Sequence, residues 1–248
     1  MVSKNQSKFI KSLKIKKYRN LERCFLVEGR KNVLELIYSE FDIRWIIGTR
    51  EFIAANELKF KKIPREHILE ASASVLSDLG TFSSNQDCIA VAEMKDNDIL
   101  NFSMTKHLFV LDGVGDPGNL GTIIRTLDWF GYDQLVCSLD TAEFYNPKVI
   151  NSTMGSFGRV KVFYTELEIF LDNYKSVKKY GADMEGIDPT SITPLGKPVM
   201  IIMGSESHGI SKTVTSHLDQ KISIPRIGRA ESLNVGIATG ILAYLFSK

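Results

Sequence analysis

The sequence is poor in the features that announce several protein classes. Its three cysteines, Cys24, Cys88 and Cys137, stand singly without a CxxC spacing; this argues against a disulfide framework or a thiolate metal site, and no metal is expected. No apolar run approaches the roughly 18 residues needed to span a bilayer. The opening MVSKNQSKFIKS lacks the apolar core of a signal peptide. A cytoplasmic protein without a membrane partner is therefore expected. There is no Walker lysine, and GVGDPG at 113–118 puts Asp and Pro where a dinucleotide fingerprint needs backbone donors. Repeats and low-complexity tracts are also missing.

What remains is an ordinary globular composition, 44% hydrophobic and 24% charged over 248 residues, long enough for two unequal domains. The net charge is only +2, but it is unevenly spread. Residues 1–31 hold ten Lys/Arg and two Glu, leaving 21 basic and 27 acidic residues for the rest. A stripe such as KFIKSLKIKKYRN is an electrostatic footprint for phosphate backbones, and equally the solvated face of a helix that packs Phe9, Ile10 and Leu13 inward.

Apolar periodicity divides the chain into a basic helical extension at 1–20, a small α/β domain at 21–95, a polar linker at 96–106 and a larger domain at 107–248. In the last of these, HLFVLDGV, DQLVCS, RVKVFY, SVKKYGAD, PVMIIMG and QKISIP read as strands alternating with helices. That pattern predicts a mostly parallel α/β sheet covered on both faces.

Ligands of open α/β sheets sit beyond the carboxyl ends of the strands, so the loops that follow them carry the chemistry. The first, DGVGDPGNLGTIIRT, is glycine-rich, with Pro117 where a helix can begin, Asn119 placed to cap it and Arg125 inside it. A plain glycine-rich connection with a solvent-facing arginine has the same pattern. The second, MGSESHGIS, delivers Met203 and Gly204 to a loop with Ser205, Glu206 and His208. Glu206 there suits an ion pair as well as a positioning role, and a lone loop histidine suits surface packing better than base catalysis. The third, IPRIGRAESLNVGIATG, ends a strand at Ile224 and places Ser232 to cap the last helix, with Leu233 and Asn234 in its first turn. Polar groups at a helix N-terminus hold anions or polar ligands readily.

In order and spacing, DPGNLGTIIRT, MGSESHGIS and IPRIGRAESLNVGIATG resemble the three signature motifs of the SpoU or TrmH-type RNA ribose 2′-O-methyltransferases of the SPOUT superfamily. The resemblance spans about residues 107–247, and the segment before it is similar to the ribosomal-protein-like substrate-binding domain of many members. It implies an α/β sheet with a C-terminal trefoil knot, a homodimer, and S-adenosylmethionine held by backbone groups at Gly204, Ile224 and Leu233 with Met203 adjacent. It further implies a polar site of Asn119, Arg125, Glu206, Ser232 and Asn234, acting on ribosomal RNA more readily than transfer RNA. Members often carry an arginine where this chain has Asn151. The rival class is a non-catalytic RNA-binding protein on the same fold; retention of Arg125 and Asn119 speaks for catalysis.

Overall fold

The computed structural model describes residues 2–82, 85–99, 102–192 and 197–247. Its chain forms two compact units, one made of Met1–Asp96 with Glu143–Arg159 and the other of Asn97–Ala142 with Val160–Lys248.

The first unit opens with two short helices, α1 (Lys4–Ser12) and α2 (Lys16–Glu22). Ser3 and Gln6 close α1 with a reciprocal capping box, satisfying two otherwise orphaned N–H groups. A four-stranded sheet follows, built from β1 (Cys24–Glu28), β2 (Ile43–Gly48), β3 (Ile68–Glu70) and β4 (Cys88–Glu93) in the order β1-β4-β2-β3. Both β1 and β2 run antiparallel to β4, whereas β3 is parallel to β2. The connecting helices are α3 (Arg30–Ile37), α4 (Arg50–Ala55) and α5 (Ala73–Leu79). Alternate strand residues face opposite sides of a sheet. Leu26, Ile47, Ile89 and Val91 accordingly share a core with Ile10 and Leu13 of the basic N-terminal segment. That segment is thus part of the core, with its lysines turned outward.

On the other face Phe25 packs against Phe41, Tyr145 and Phe157. The last two belong to residues 143–159, which include α7 (Pro147–Ser152) and by strand–helix alternation alone read as a continuation of the larger domain. Their aromatic side chains account for where the segment sits, and ion pairs secure it. Arg19, 2% exposed, makes a two-pronged contact with Glu143 at 2.6 and 3.1 Å and donates to the carbonyls of Leu13 and Lys14. Removing one member of a buried pair strands the other charge. Glu143→Ala is therefore expected to lower stability by about 3 kcal/mol, read as a shifted denaturation midpoint with an unchanged slope.

The second unit is built on six strands, β5 (Leu108–Asp112), β6 (Gln134–Ser138), β7 (Lys161–Thr165), β8 (Lys179–Ile187), β9 (Met200–Gly204) and β10 (Gln220–Ile222). They lie in the order β10-β8-β9-β5-β6-β7, and every pairing is parallel. The uninterrupted apolar runs of β5 and β9 suit strands covered on both faces. One cover includes α8 (Leu167–Asn173) and α9 (Lys212–Thr215): Phe170, Leu171 and Val214 join Val110, Val136 and Ile202 in one core. Phe102, within the segment of polar, aperiodic composition, is buried in that core too.

The other cover includes α6 (Pro117–Trp129) and α10 (Val235–Phe246), packed together. Gly236 and Gly240 allow a close approach: a Cβ on either would meet the side chain of Thr122 or Thr126, respectively, at 3.4–3.5 Å. The three cysteines are all buried, and desolvation raises each thiol above its ordinary pKa, which leaves them as inert packing groups. No helix among the described residues is long and apolar enough to cross a membrane.

Candidate active site

The strand order reverses between β5 and β9. From β5 the chain moves outward through β6 and β7, and its later strands lie on the opposite side. Such a switch point opens a crevice beyond the carboxyl ends of the two strands. Asp112 and Gly204, the last residues of β5 and β9, are register partners there. The loop after β5 leads into α6, and the loop after β9 carries Ser205 to Ile210. Asp112 ties the two together by accepting from the Ser211 N–H at 2.7 Å, a link that motif reading overlooked although an acid at a strand terminus was its signal.

The β9 loop folds back on itself. Ser205 and Gly209 exchange backbone hydrogen bonds at 3.0 and 2.9 Å, and Gly209 has φ +66°. A Cβ on Gly204 would fall on the backbone of Gly209 and Ile210, so only glycine lets the loop close over the strand end.

Two caps differ from expectation. Asp116 caps α6 by accepting from the Asn119 N–H, which leaves the Asn119 side chain free for other work. Asn234, and not Ser232, caps α10, accepting from Gly236 N and Ile237 N at 3.0 and 3.3 Å. Asp, Asn and Ser are nearly equal as caps, so composition does not choose among them. Ile224 lies beyond the end of β10, in the loop and not in the strand.

These caps order the site. Because Asn234 Oδ1 is spent on the α10 N–H groups, its Nδ2 faces outward and donates to Asn119 Oδ1 at 3.0 Å. Asn119 Nδ2 is thereby left to donate to a Glu206 carboxylate oxygen. The chain Asn234–Asn119–Glu206 joins all three motifs, with each amide's orientation dictated by the previous acceptor.

Arg125 lies on the exposed surface of α6, two turns past Pro117, and makes no hydrogen bond or ion pair among the described residues. Its guanidinium is free to meet an anion. Ser232 and Leu233 are exposed in the stretch from 223 to 233. Among the described residues, the backbone N–H groups of 226–233 have no partner. His208 is exposed and meets the Ser207 hydroxyl at 2.7 Å. No group of three or more potential metal ligands occurs among the described residues.

Residues 106–244 match the family model described as the SpoU rRNA Methylase family. The chain belongs to that family. Residues 4–90 match the MRM3-like substrate binding domain. A relative of this SpoU family chain, the 23S rRNA (guanosine(2553)-2′-O)-methyltransferase RlmP of Bacillus subtilis, is 31% identical over 98% of this chain and 96% of its own length. The 23S rRNA (guanosine-2′-O-)-methyltransferase RlmB of Blochmanniella floridana is 33% identical over 72% of this chain and 75% of its own. Among solved structures, a TrmH-family protein from Porphyromonas gingivalis superposes with a TM-score of 0.86 at 32% identity, covering 99% of this chain and 98% of its own. The AdoMet-bound rRNA methyltransferase of Sinorhizobium meliloti gives 0.86 at 28%, covering 99% and 95%. As a SpoU protein, the chain thus combines an N-terminal substrate-binding domain with a parallel α/β sheet of the family's architecture.

Proposed function

We propose that this protein transfers a methyl group from S-adenosylmethionine to a ribose 2′-hydroxyl of RNA, ribosomal RNA before transfer RNA. The observation that carries the reading is the Asn234–Asn119–Glu206 chain at the switch-point crevice. It draws together three separated motifs, all within residues 106–244 that match the SpoU family model.

The donor, when bound, supplies an electrophilic methyl on a sulfonium. Residues of this chain suit it. Gly204 lets the β9 loop close tightly over the strand end, and the N–H groups of 226–233, without partners among the described residues, are free for main-chain recognition of an adenosine. Met203, Gly204, Ile224 and Leu233 are the proposed lining of that site. On the acceptor side, a neutral 2′-hydroxyl must lose its proton as its oxygen forms the new O–C bond, while the S–C bond breaks. An arginine side chain stays charged in proteins and is a poor resting base. Arg125 instead holds the neighbouring phosphate and stabilises charge developing on the 2′-oxygen, with the proton passing to phosphate or water. Glu206 orients Asn119, and Asn234 and Ser232 border the target nucleotide.

Two further features follow from the family. A homodimer is supported by apolar side chains left on the surface of α6 and α10, where Trp129 is 84%, Ile237 57% and Tyr244 49% exposed. A C-terminal knot is supported by the route of residues 223–234. They start at β10 on the sheet edge and end beside Asn119, so they must pass the carboxyl ends of β8 and β9, where the β9 loop closes.

Transfer of labelled methyl to ribosomal and transfer RNA from cells lacking this protein tests the reading. Label in alkali-stable dinucleotides is expected, because a blocked 2′-hydroxyl cannot attack its phosphate; label confined to bases would refute it. RNA affinity should also fall with salt. Since Ile10 and Leu13 are core residues, the N-terminal contribution is best probed without truncation. Replacing the exposed Lys8, Lys16 and Lys17 with Glu is expected to weaken RNA binding and flatten the salt slope by about three; an unchanged slope would remove this segment from the interface.

A further inference from the structure

The loop that leaves β6 holds a carboxylate to which the proposed reaction assigns no role. Asp140 follows the strand by two residues and is exposed, yet its side chain is held in place. Ser138, 7% exposed, accepts from the Gly113 N–H at 2.8 Å and donates its one hydroxyl proton to Asp140 Oδ1 at 2.5 Å. The Thr141 hydroxyl, also buried, lies 2.9 Å from Ser138 Oγ. A buried pair of hydroxyls thus joins Asp140 to the first residue of the β5 loop.

The other oxygen, Oδ2, makes no hydrogen bond or ion pair among the described residues. It faces the space above Gly113, where a Cβ would lie 3.3 Å from Asp140 Oδ2 and 3.8 Å from the Ser205 Cβ. Gly113 has φ +70°, and with no side chain it leaves that space open. Gly113 and Ser205 directly follow the register partners Asp112 and Gly204, so the space belongs to the switch-point crevice. Two further acids there are engaged. Asp112 is 8% exposed and accepts from the Ser211 N–H, and Glu206 accepts from Asn119.

Strand order decides what Oδ2 can meet. In the order β9-β5-β6 the proposed donor lining lies on one side of β5 and Asp140 on the other, while the β5 loop between them leads to Asn119 and Arg125. Asp140 therefore flanks the acceptor nucleotide and not the donor. A carboxylate only accepts hydrogen bonds, at about four lone-pair positions, and Ser138 fills one of them.

Guanine alone of the four RNA bases sets two donors side by side on its Watson–Crick edge, N1–H and the 2-amino group. Adenine and cytosine place a ring acceptor beside their amino group, and uracil flanks its N–H with two carbonyls, so each turns a lone pair toward a carboxylate. A nucleotide drawn from its stack into a crevice exposes this edge. We propose that Asp140 is a specificity-determining residue that reads the Watson–Crick edge of a guanine, so that the methylated nucleotide is a guanosine. The inference rests on the ribose-methylating function proposed above.

The test begins with wild type and ribosomal RNA from cells lacking the protein. Labelled alkali-stable dinucleotides, digested to nucleosides, should carry the label as 2′-O-methylguanosine. Label in the ribose of another nucleoside would overturn the role of Asp140 while upholding the function, and no ribose label would overturn both. The same RNA is then rejoined by ligation with guanosine, or with inosine, which lacks the 2-amino group, at the methylated position. Wild type should lose about tenfold to a hundredfold in kcat/KM on inosine, the worth of one hydrogen bond to a charged group. Asp140→Asn should lose at least as much on guanosine and little more on inosine, whereas a purely structural role would leave the ratio of the two RNAs unchanged. The donor Kd of Asp140→Asn, measured by calorimetry, should match wild type. A weakened donor would assign the carboxylate to the donor's positive charges and overturn the proposal, as would an asparagine variant that keeps the full preference for guanosine.

Discussion

Arg125→Ala is expected to reduce methyl transfer by about 10²–10³-fold, while donor affinity stays within about twofold of wild type. The split follows from where the side chain lies. Arg125 sits on the exposed surface of α6 with no partner among the described residues, whereas the proposed donor lining is the end of β9 and the loop leading to α10. Nothing that orders Gly204 or the Asn234 cap passes through the guanidinium, so its removal should leave the crevice assembled. What disappears is a fixed, permanently charged fork beside the phosphate and the developing oxyanion, a contribution to the transition state and not to donor binding. Arg125→Lys keeps the charge but loses the two-pronged geometry and should recover only about a tenth of wild-type turnover. Single-turnover rates at saturating RNA, beside calorimetric donor binding, provide the check. Near-normal turnover for the lysine variant at all pH values would rule out a need for the planar guanidinium, and parallel losses of donor binding and rate would make Arg125 structural.

Gly204→Ala should act in the opposite way, weakening donor binding. The added methyl would collide with the backbone of Gly209 and Ile210, which cannot swing aside as a long side chain would. Relief requires opening the Ser205–Gly209 bridge, which carries Glu206 toward Asn119. Overpacking at a well-packed site typically costs about 1–3 kcal/mol, here borne by the one loop. Donor affinity should therefore fall by at least about tenfold, with turnover failing alongside it. Calorimetric titration with S-adenosylmethionine measures the effect, and thermal unfolding shows whether it stays local. Full donor affinity in the alanine variant would exclude the β9 terminus from the donor site.

Much of the fold is legible in local pattern. The apolar runs LFVLD and MIIMG read as strands buried on both faces, as they prove to be, and chemistry-bearing residues gather in the loops that follow them. Asn119, Glu206 and Asn234 stand out for that reason, as polar groups where a parallel sheet meets its ligands. Their mutual arrangement is not legible, because it depends on which residue caps each helix. Asp116 relieves Asn119 of capping, and Asn234 takes the place that Ser232 fits equally well on composition. The assignment of 143–159 is likewise hidden. Pro147–Ser152 is a helix in either setting, and only the meeting of Tyr145 and Phe157 with Phe25, more than a hundred residues earlier, places it in the first unit.

By itself the sequence determined the local elements, the basic N-terminal surface, the lack of metal-ligating cysteine patterns and the loops that carry the chemistry, since these depend on periodicity, charge and residue type over short spans. The tertiary structure alone decided the strand order that opens the crevice between β5 and β9, the one-way hydrogen-bond chain through Asn119, and the placing of Asp140 against Gly113. Each depends on groups distant in sequence becoming neighbours. The free energy that selects those neighbours comes from burying whole faces together, and no short segment of the chain contains it.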